Sequence, residues 1–320
     1  MQIYTSLEQL DIRDKTSVAL GNFDGFHIGH VEIMKDALAA AEKHGLKSLC
    51  FTFSNHPFNF ILRREEDDPA AIKMICSEQE KVELVRSLGF DILVNVPFDE
   101  TVMKMRAHDF FRNIITGSLN AGWVSVGFNY TYGARAEGKP ADLVRECFGA
   151  GIGSSIHDAV MMDGKVISST LIRGLISEGD MEHTAKYLGR PYTFAGKVIH
   201  GNQIGSSRSI PTANIAPPAG RMLPPRGVYF SRTLIDGNVY TGVSNLGVKP
   251  TIGSDSVTIE TNLFDFGGDL YDKEITVCFD HFSRPERKFA SRDELFDQIA
   301  RDCKNAGKYY NSMDNALSLW

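Results

Sequence analysis

The sequence predicts two folds in series, a parallel α/β sheet followed by a small antiparallel β-barrel with a terminal helix. Three observations carry this. Apolar runs alternate with amphipathic runs over roughly the first 190 of 320 residues, as strand–helix–strand units of a parallel sheet do. A glycine-broken turn with two histidines follows the first apolar run. From Pro191 onward Gly, Pro, Thr and β-branched residues dominate, and short strand patterns follow one another with no helix between them.

In chain order, the apolar run 17–20 reads as the first strand, and the amphipathic run 31–44 as its helix. Residues 48–53 read as a second strand, ending in the loop Ser54-Asn55-His56-Pro57. An irregular charged loop spans 62–69. Ser77 with Glu80 forms a capping box that opens a helix to about Ser87. Residues 91–96 and 122–126 read as strands, with a helix over 107–115 between them. Val18, Leu49, Leu93 and Val124 thus mark four strands with right-handed crossovers. Ligands of such sheets bind beyond the carboxyl ends of the strands, where the first turn, the His56 loop and Gly127-Phe128-Asn129-Tyr130 all fall. Short helices are expected over 171–177 and then to about Leu188, broken by Gly179-Asp180. Strands are expected at 192–200, 227–235, 239–246, 257–265 and 274–282, and a Ser291/Glu294 cap opens a last helix toward Lys308. The expected domains are 1–186 and 187–320.

Composition excludes several classes. The 34 basic and 40 acidic residues give a net charge of −6, so the chain as a whole is no nucleic-acid binder. Any phosphate site must be made locally. The five cysteines are scattered, odd in number and without a C-x-x-C pair, which argues against a disulfide framework or a zinc site and for a reducing, cytoplasmic location. Residues 1–15 carry Glu8, Asp11, Arg13 and Asp14 and do not read as a signal peptide, and no apolar run approaches the ~20 residues of a membrane span. A homo-oligomer is compatible with the chain.

The turn Gly21-Asn22-Phe23-Asp24-Gly25-Phe26-His27-Ile28-Gly29-His30 is the first candidate site. Free backbone N–H groups and the positive end of a helix dipole meet there and attract phosphate. His27 and His30, three apart, can follow charge as it shifts. Gly21, Gly25 and Gly29 let backbone approach a phosphate, and Asn22 is placed to contact phosphate or ribose. The alternatives are surface histidines, or a metal pair with Asp24 as third ligand. Ser168, Ser169, Thr170 and Arg173 form a second helix-start anion site, or else a plain N-cap with an exposed arginine. His56 reads equally as a loop-packing imidazole or a substrate contact. On residues alone, Glu260 is an outward strand residue and Thr212 with Asn214 a turn motif.

These motifs, taken together, resemble the prokaryotic bifunctional riboflavin kinase/FMN adenylyltransferase (FAD synthetase) family over nearly the whole chain. The first turn looks like the family's G-N-F-D-G-x-H-x-G-H. Ile167-Ser168-Ser169-Thr170-Leu171-Ile172-Arg173 is similar to its I-S-S-T-x-I-R, and Pro211-Thr212-Ala213-Asn214 to its P-T-A-N. Gly227-Val228-Tyr229, Asn245 through Pro250-Thr251, Leu270-Tyr271 and Arg284-Pro285-Glu286-Arg287-Lys288-Phe289 follow in family order. The resemblance implies a Rossmann-like nucleotidyltransferase domain and a riboflavin kinase barrel. ATP phosphorylates riboflavin to FMN in the barrel, and AMP is then transferred from ATP to FMN, giving FAD and pyrophosphate, with Mg²⁺ in both steps. It further implies His27, His30, Arg173 and Glu260 as catalytic, Glu260 being the kinase base, and Thr212 and Asn214 as Mg²⁺ ligands. Gly21, Asn22, Phe23, Asp24, Gly29, Asn129, Ser168, Ser169, Thr170, Gly201, Gly205, Arg208 and Arg284 are implied as substrate contacts. The chain departs from the family at Asn129 (usually Asp), Ser206 (usually Arg, with Arg208 two residues on), Ser209 (usually Gly), Asn262 (frequently His) and Asp272 (usually Gly). The alternative to the bifunctional enzyme is a monofunctional FMN adenylyltransferase whose barrel only binds flavin. A flavin sensor without turnover and a cytidylyltransferase are further readings, against which the intact motifs argue.

Overall fold

The computed structural model describes residues 1–65, 68–199, 212–251 and 254–312, with only the backbone at 249–251 and 254–256. The chain folds as two compact units, Met1–Ser169 and Thr170–Trp320, a division ahead of the boundary expected near 187.

The first unit is built on six parallel strands: β1 (Gln2–Tyr4), β2 (Thr16–Leu20), β3 (Lys47–Phe53), β4 (Ile92–Val96), β5 (Ala121–Gly127) and β6 (Gly153–His157), in the spatial order β1-β4-β3-β2-β5-β6. Side chains alternate between its faces. Val18, Leu20, Leu49, Phe51, Val94 and Val124 enter one core, with Phe110, Phe111, Ile114 and Leu143. Ala19, Cys50 and Leu93 enter the other, with Ile33, Met34, Ala37 and Val85. Both faces are therefore covered, as a parallel sheet requires.

The helices of this unit are α1 (Ile28–His44), α2 (Pro57–Ile61), α3 (Glu78–Ser87), α4 (Glu100–Lys104), the turn α5 (Ala107–Asp109) running into a π-helix over Phe110–Ser118, and α6 (Pro140–Gly149). α1 buries Ile33, Met34, Ala37, Ala40 and Ala41, a three-to-four-residue stripe, and stops at Gly45, whose φ of 64° suits glycine. α3 has the complete capping box expected from Ser77 and Glu80. A short hairpin of β7 (Met161–Met162) and β8 (Lys165–Val166) precedes the second unit. From β2 the chain runs to β3 on one side, and β5 flanks the other. The order thus reverses at β2, and a crevice opens there at the carboxyl ends.

The second unit begins with α7 (Ser169–Glu178) and α8 (Met181–Leu188), separated at Gly179 (φ 78°) and restarted by the Asp180 cap. Its six antiparallel strands are β9 (Tyr192–Lys197), β10 (Thr212–Ile215), β11 (Gly227–Ile235), β12 (Asn238–Thr251), β13 (Ser254–Leu263) and β14 (Glu274–Pro285), in the order β10-β13-β12-β11-β14-β9. An isolated bridge between Ile199 and Asn214 joins the two edges of the curled sheet. Tyr229 and Phe279 stack in its core, ring centroids 4.3 Å apart. The last helix, α9 (Arg292–Ser312), is fastened to the sheet by charge. Asp302 accepts from Arg284 Nη2 at 2.6 Å, and Tyr310 donates to Asp280, itself paired with the buried Arg232.

Candidate functional site

The turn after β2 is strained and locked. Phe23 and Phe26 hold φ of 42° and 43°, a region that costs a bulky residue ~1–3 kcal/mol. Both rings are 1% exposed, and their burial holds the conformation. Gly21 has no side chain for a close reason: a Cβ there would lie 2.7 Å from the Phe23 ring. Thr52 Oγ1 donates to the Asn22 carbonyl at 2.9 Å. The Asn22 Oδ1 atom is buried and makes no hydrogen bond among the described residues, an acceptor held in readiness beside the helix start.

His27 stands at the start of the helix, where the sequence places it. It is the N-cap of α1, its Nδ1 accepting from the His30 backbone N–H at 3.3 Å. The two imidazoles stack, centroids 3.6 Å apart and 20° from parallel. Gly29 makes room for the stack, since a Cβ there would sit 3.2 Å from His27 Nδ1. Two imidazole rings thus stand side by side at the positive end of the α1 dipole, an arrangement suited to charge that grows on phosphate oxygens.

Beside them lies a cavity of about 570 Å³ at the carboxyl edge of the sheet, lined by Asn22, Phe23, His30, Phe53, Phe98 and Asn129 among others. Its walls are mainly aromatic. Phe53 meets Phe98 edge-on at 5.2 Å, and Tyr130 stacks on Tyr132 at 5.9 Å. Burial and the hydrogen bond to Glu146 push the Tyr132 hydroxyl above its usual range, so it stays protonated and donates at 2.7 Å. The first turn, the His56 loop and residues 127–130, expected at this edge, all contribute to the lining; sequence reading missed the aromatic walls, whose signal was Phe53 and Phe98, near where β3 and β4 stop. His56 lines the cavity and also caps α2, accepting from the Phe58 N–H at 3.2 Å. Arg135, which lines the same cavity on a left-handed backbone (φ 56°), was not singled out either.

Asp24 does not face this space. It is 1% exposed, and its carboxylate accepts from the Ile75 N–H at 2.9 Å. A buried carboxylate needs internal donors, and the Ile75 N–H ahead of α3 supplies one. Ser169 Oγ donates to the Asp24 carbonyl at 2.9 Å, so this serine fastens two motifs 145 residues apart. Ser168 and Ser169 close the first unit. Thr170 and Arg173 open the second, three residues and so about one turn apart on α7.

In the second unit, register brings the remaining candidates to one face. Asn214 pairs with Glu260, Glu260 also with Asn245, and Thr212 with Asn262; paired residues project to the same side. Thr212 and Asn214 therefore present a hydroxyl and an amide next to the half-buried Glu260 carboxylate. Arg284 is engaged otherwise than expected. Its Nε and Nη2 go to Asp302 and its Nη1 to the Pro285 carbonyl, which makes it a clamp for α9. Asn262 donates to Cys303 Sγ at 3.7 Å. Asp272 has a φ of 64°, which explains the family's usual glycine there; aspartate is among the residues that tolerate this conformation. Gly201, Gly205 and Arg208, with Ser206 and Ser209, lie outside the described residues.

Fold and site define a two-domain transferase that works on nucleotide phosphates. The FAD synthetase family profile matches residues 10–171, and the Riboflavin kinase profile residues 188–310. A bifunctional riboflavin kinase/FMN adenylyltransferase from Bacillus subtilis is 33% identical over 93% of this chain and 94% of that protein, and one from Listeria monocytogenes 31% over 93% of each. A crystal structure described as a macrolide-efflux protein from Streptococcus pneumoniae superimposes with a TM-score of 0.84 at 29% identity, covering 94% of this chain and 96% of that one. The chain belongs to the bifunctional riboflavin kinase/FMN adenylyltransferase family. Both catalytic domains are present, which favours the bifunctional enzyme over the adenylyltransferase-only alternative. Among the described residues no helix is long and apolar enough to cross a membrane.

Proposed function

We propose that the stacked His27/His30 pair and the aromatic cavity beside it form the adenylyl-transfer site, and that the Thr212–Asn214–Glu260 face forms the kinase site. In the first unit a phosphate oxygen of FMN forms a bond to the α-phosphorus of ATP, and the bond from that phosphorus to the pyrophosphate oxygen breaks. The nucleophile is already anionic, so no strong base is needed. The work is alignment and stabilisation of charge on the departing pyrophosphate. The helix start and the two imidazoles supply donors for that charge. The aromatic walls suit the flat flavin ring, with its phosphate toward His30. The role of Thr170 and Arg173 rests on the resemblance alone.

In the second unit Glu260 accepts the proton of the riboflavin 5′-hydroxyl as its oxygen attacks the γ-phosphorus of ATP and ADP leaves. Mg²⁺ fits the donor set there: the Thr212 hydroxyl and Asn214 amide oxygen are hard, neutral ligands, and Glu260 adds charge. Such an ion would neutralise the ATP phosphates. Within the chain we assign 1–186 to adenylyl transfer and 187–320 to the kinase. We place the reaction in the cytoplasm, in keeping with five cysteines that form no disulfide. No nucleic-acid partner is proposed.

The observation that carries this reading is the 3.6 Å imidazole stack at the mouth of an aromatic cavity. His30→Ala, assayed with FMN and ATP for pyrophosphate release, is expected to lose about 10²-fold or more in turnover, as for removal of a transition-state donor. Wild-type turnover in that variant would overturn the assignment.

A further inference from the structure

Lys81 is a buried cation that the chemistry above does not use. It lies on α3, is 1% exposed, and donates from Nζ to the Phe53 carbonyl at 2.5 Å. Phe53 is the last residue of β3, and its ring lines the cavity. The titratable groups around the ammonium are Asp24 of the strained turn, Cys50 of β3, Cys76 ahead of α3, and Glu78 at its start. Asp24 is the buried carboxylate among them. Burying an ammonium is costly, and an apolar side chain of similar size serves a core better. Both neighbours belong to the site: Lys81 hydrogen-bonds the end of the strand that reaches the cavity wall, and the charge of Asp24, on the turn that leads to His27, acts on its ammonium.

We propose that Lys81 is a positioning residue for adenylyl transfer, its ammonium tying the Phe53 end of β3 to the Asp24 turn and so fixing the cavity against the histidine pair. The proposal rests on the adenylyltransferase reading of the first unit. It separates two pH dependences. Desolvation lowers the Lys81 ammonium from its ordinary value, partly opposed by Asp24. The unfolded chain then holds this proton to higher pH than the folded one, so the residue's contribution to stability rises as pH rises. Positioning needs the charged form, so activity falls over the same range.

The test uses full-length Lys81→Met and Lys81→Arg. FAD formation from FMN and ATP is measured for kcat and KM across pH, with FMN formation from riboflavin and thermal unfolding in the same preparations. Lys81→Met is expected to lose about tenfold or more in kcat for FAD formation, in the range expected for sub-ångström misplacement. KM and riboflavin phosphorylation should stay near wild type. Lys81→Arg, charged at all accessible pH, should keep its FAD-forming activity on the alkaline side where wild type declines. Wild-type kcat in Lys81→Met, or coincident pH profiles for wild type and Lys81→Arg, would overturn the proposal. If Lys81→Met does not fold, the arginine profile decides. Absence of FAD formation by the wild type would instead refute the underlying adenylyltransferase reading.

Discussion

Gly29→Ala separates stability from catalysis at the histidine pair. The added Cβ would lie 3.2 Å from His27 Nδ1 and 3.3 Å from Cε1, tighter than ordinary van der Waals contact. The His27 ring must therefore give by a few tenths of an ångström, and the stack with His30, now at 3.6 Å, opens or tilts. If ~1 Å of misplacement costs about 10²-fold, this displacement should cost about three- to tenfold in kcat for FAD formation. The helix gains in the other direction, because alanine is favoured over glycine by up to ~1 kcal/mol. The variant should thus unfold at the same or a slightly higher temperature while making FAD more slowly. The assay is steady-state FAD formation from FMN and ATP beside a thermal melt, with riboflavin phosphorylation as the internal control. A variant with wild-type FAD formation would refute the claim that the ring position matters, and one that also lost riboflavin phosphorylation would show a wider disturbance.

Other residues give independent tests. Glu260→Gln keeps size and hydrogen bonding but removes the base, so FMN formation from riboflavin should fall about 10²-fold or more while FAD formation from supplied FMN is unchanged. Asp302→Ala leaves the Arg284 guanidinium, 20% exposed, without its carboxylate; denaturant unfolding should show a loss of ~3 kcal/mol, the low end for breaking a buried pair. Asp36 is held below its ordinary value of 3.8: burial pushes it up, and hydrogen bonds from Ser125 and Ser155, with the His157 imidazole 3.3 Å away, more than offset this. Its folded value is depressed, so the stability it supplies is present above that ordinary value and lost as pH falls toward the folded one. The stability gap between wild type and Asp36→Asn should accordingly close on acidification, and a gap that stays constant from pH 6 to pH 3 would contradict the assignment.

The sequence made most of the frame legible where local signals were strong. Val18, Leu49, Leu93 and Val124 sit on the four central strands, because buried parallel strands read as short apolar runs. Ser77 and Glu80 gave the start of α3, because the capping box is a local device. The edge strands of the first sheet were not visible. β1 has three residues, and β6 reads Gly-Ser-Ser-Ile-His, without an apolar pattern, since an edge strand makes fewer core contacts. β10 passed for a turn motif because Thr212 and Asn214 are polar on the very face where chemistry is expected. At the site, His27 and His30 stood out by spacing. Their stacking, the inward turn of Asp24 and the Arg284–Asp302 clamp did not, because each depends on a partner far away in the chain. Lys81 reads as an ordinary helix-surface lysine until β3 and the Asp24 turn are brought against it.

The central claim is that one chain carries riboflavin through FMN to FAD. Purified full-length protein given riboflavin, ATP and Mg²⁺, sampled over time for FMN, FAD and pyrophosphate, tests it most directly. FMN should appear first and FAD after it, with one pyrophosphate released per FAD. Riboflavin that stays unchanged while supplied FMN is converted to FAD would contradict the bifunctional account, and FMN that accumulates without pyrophosphate would contradict the role given to the histidine pair.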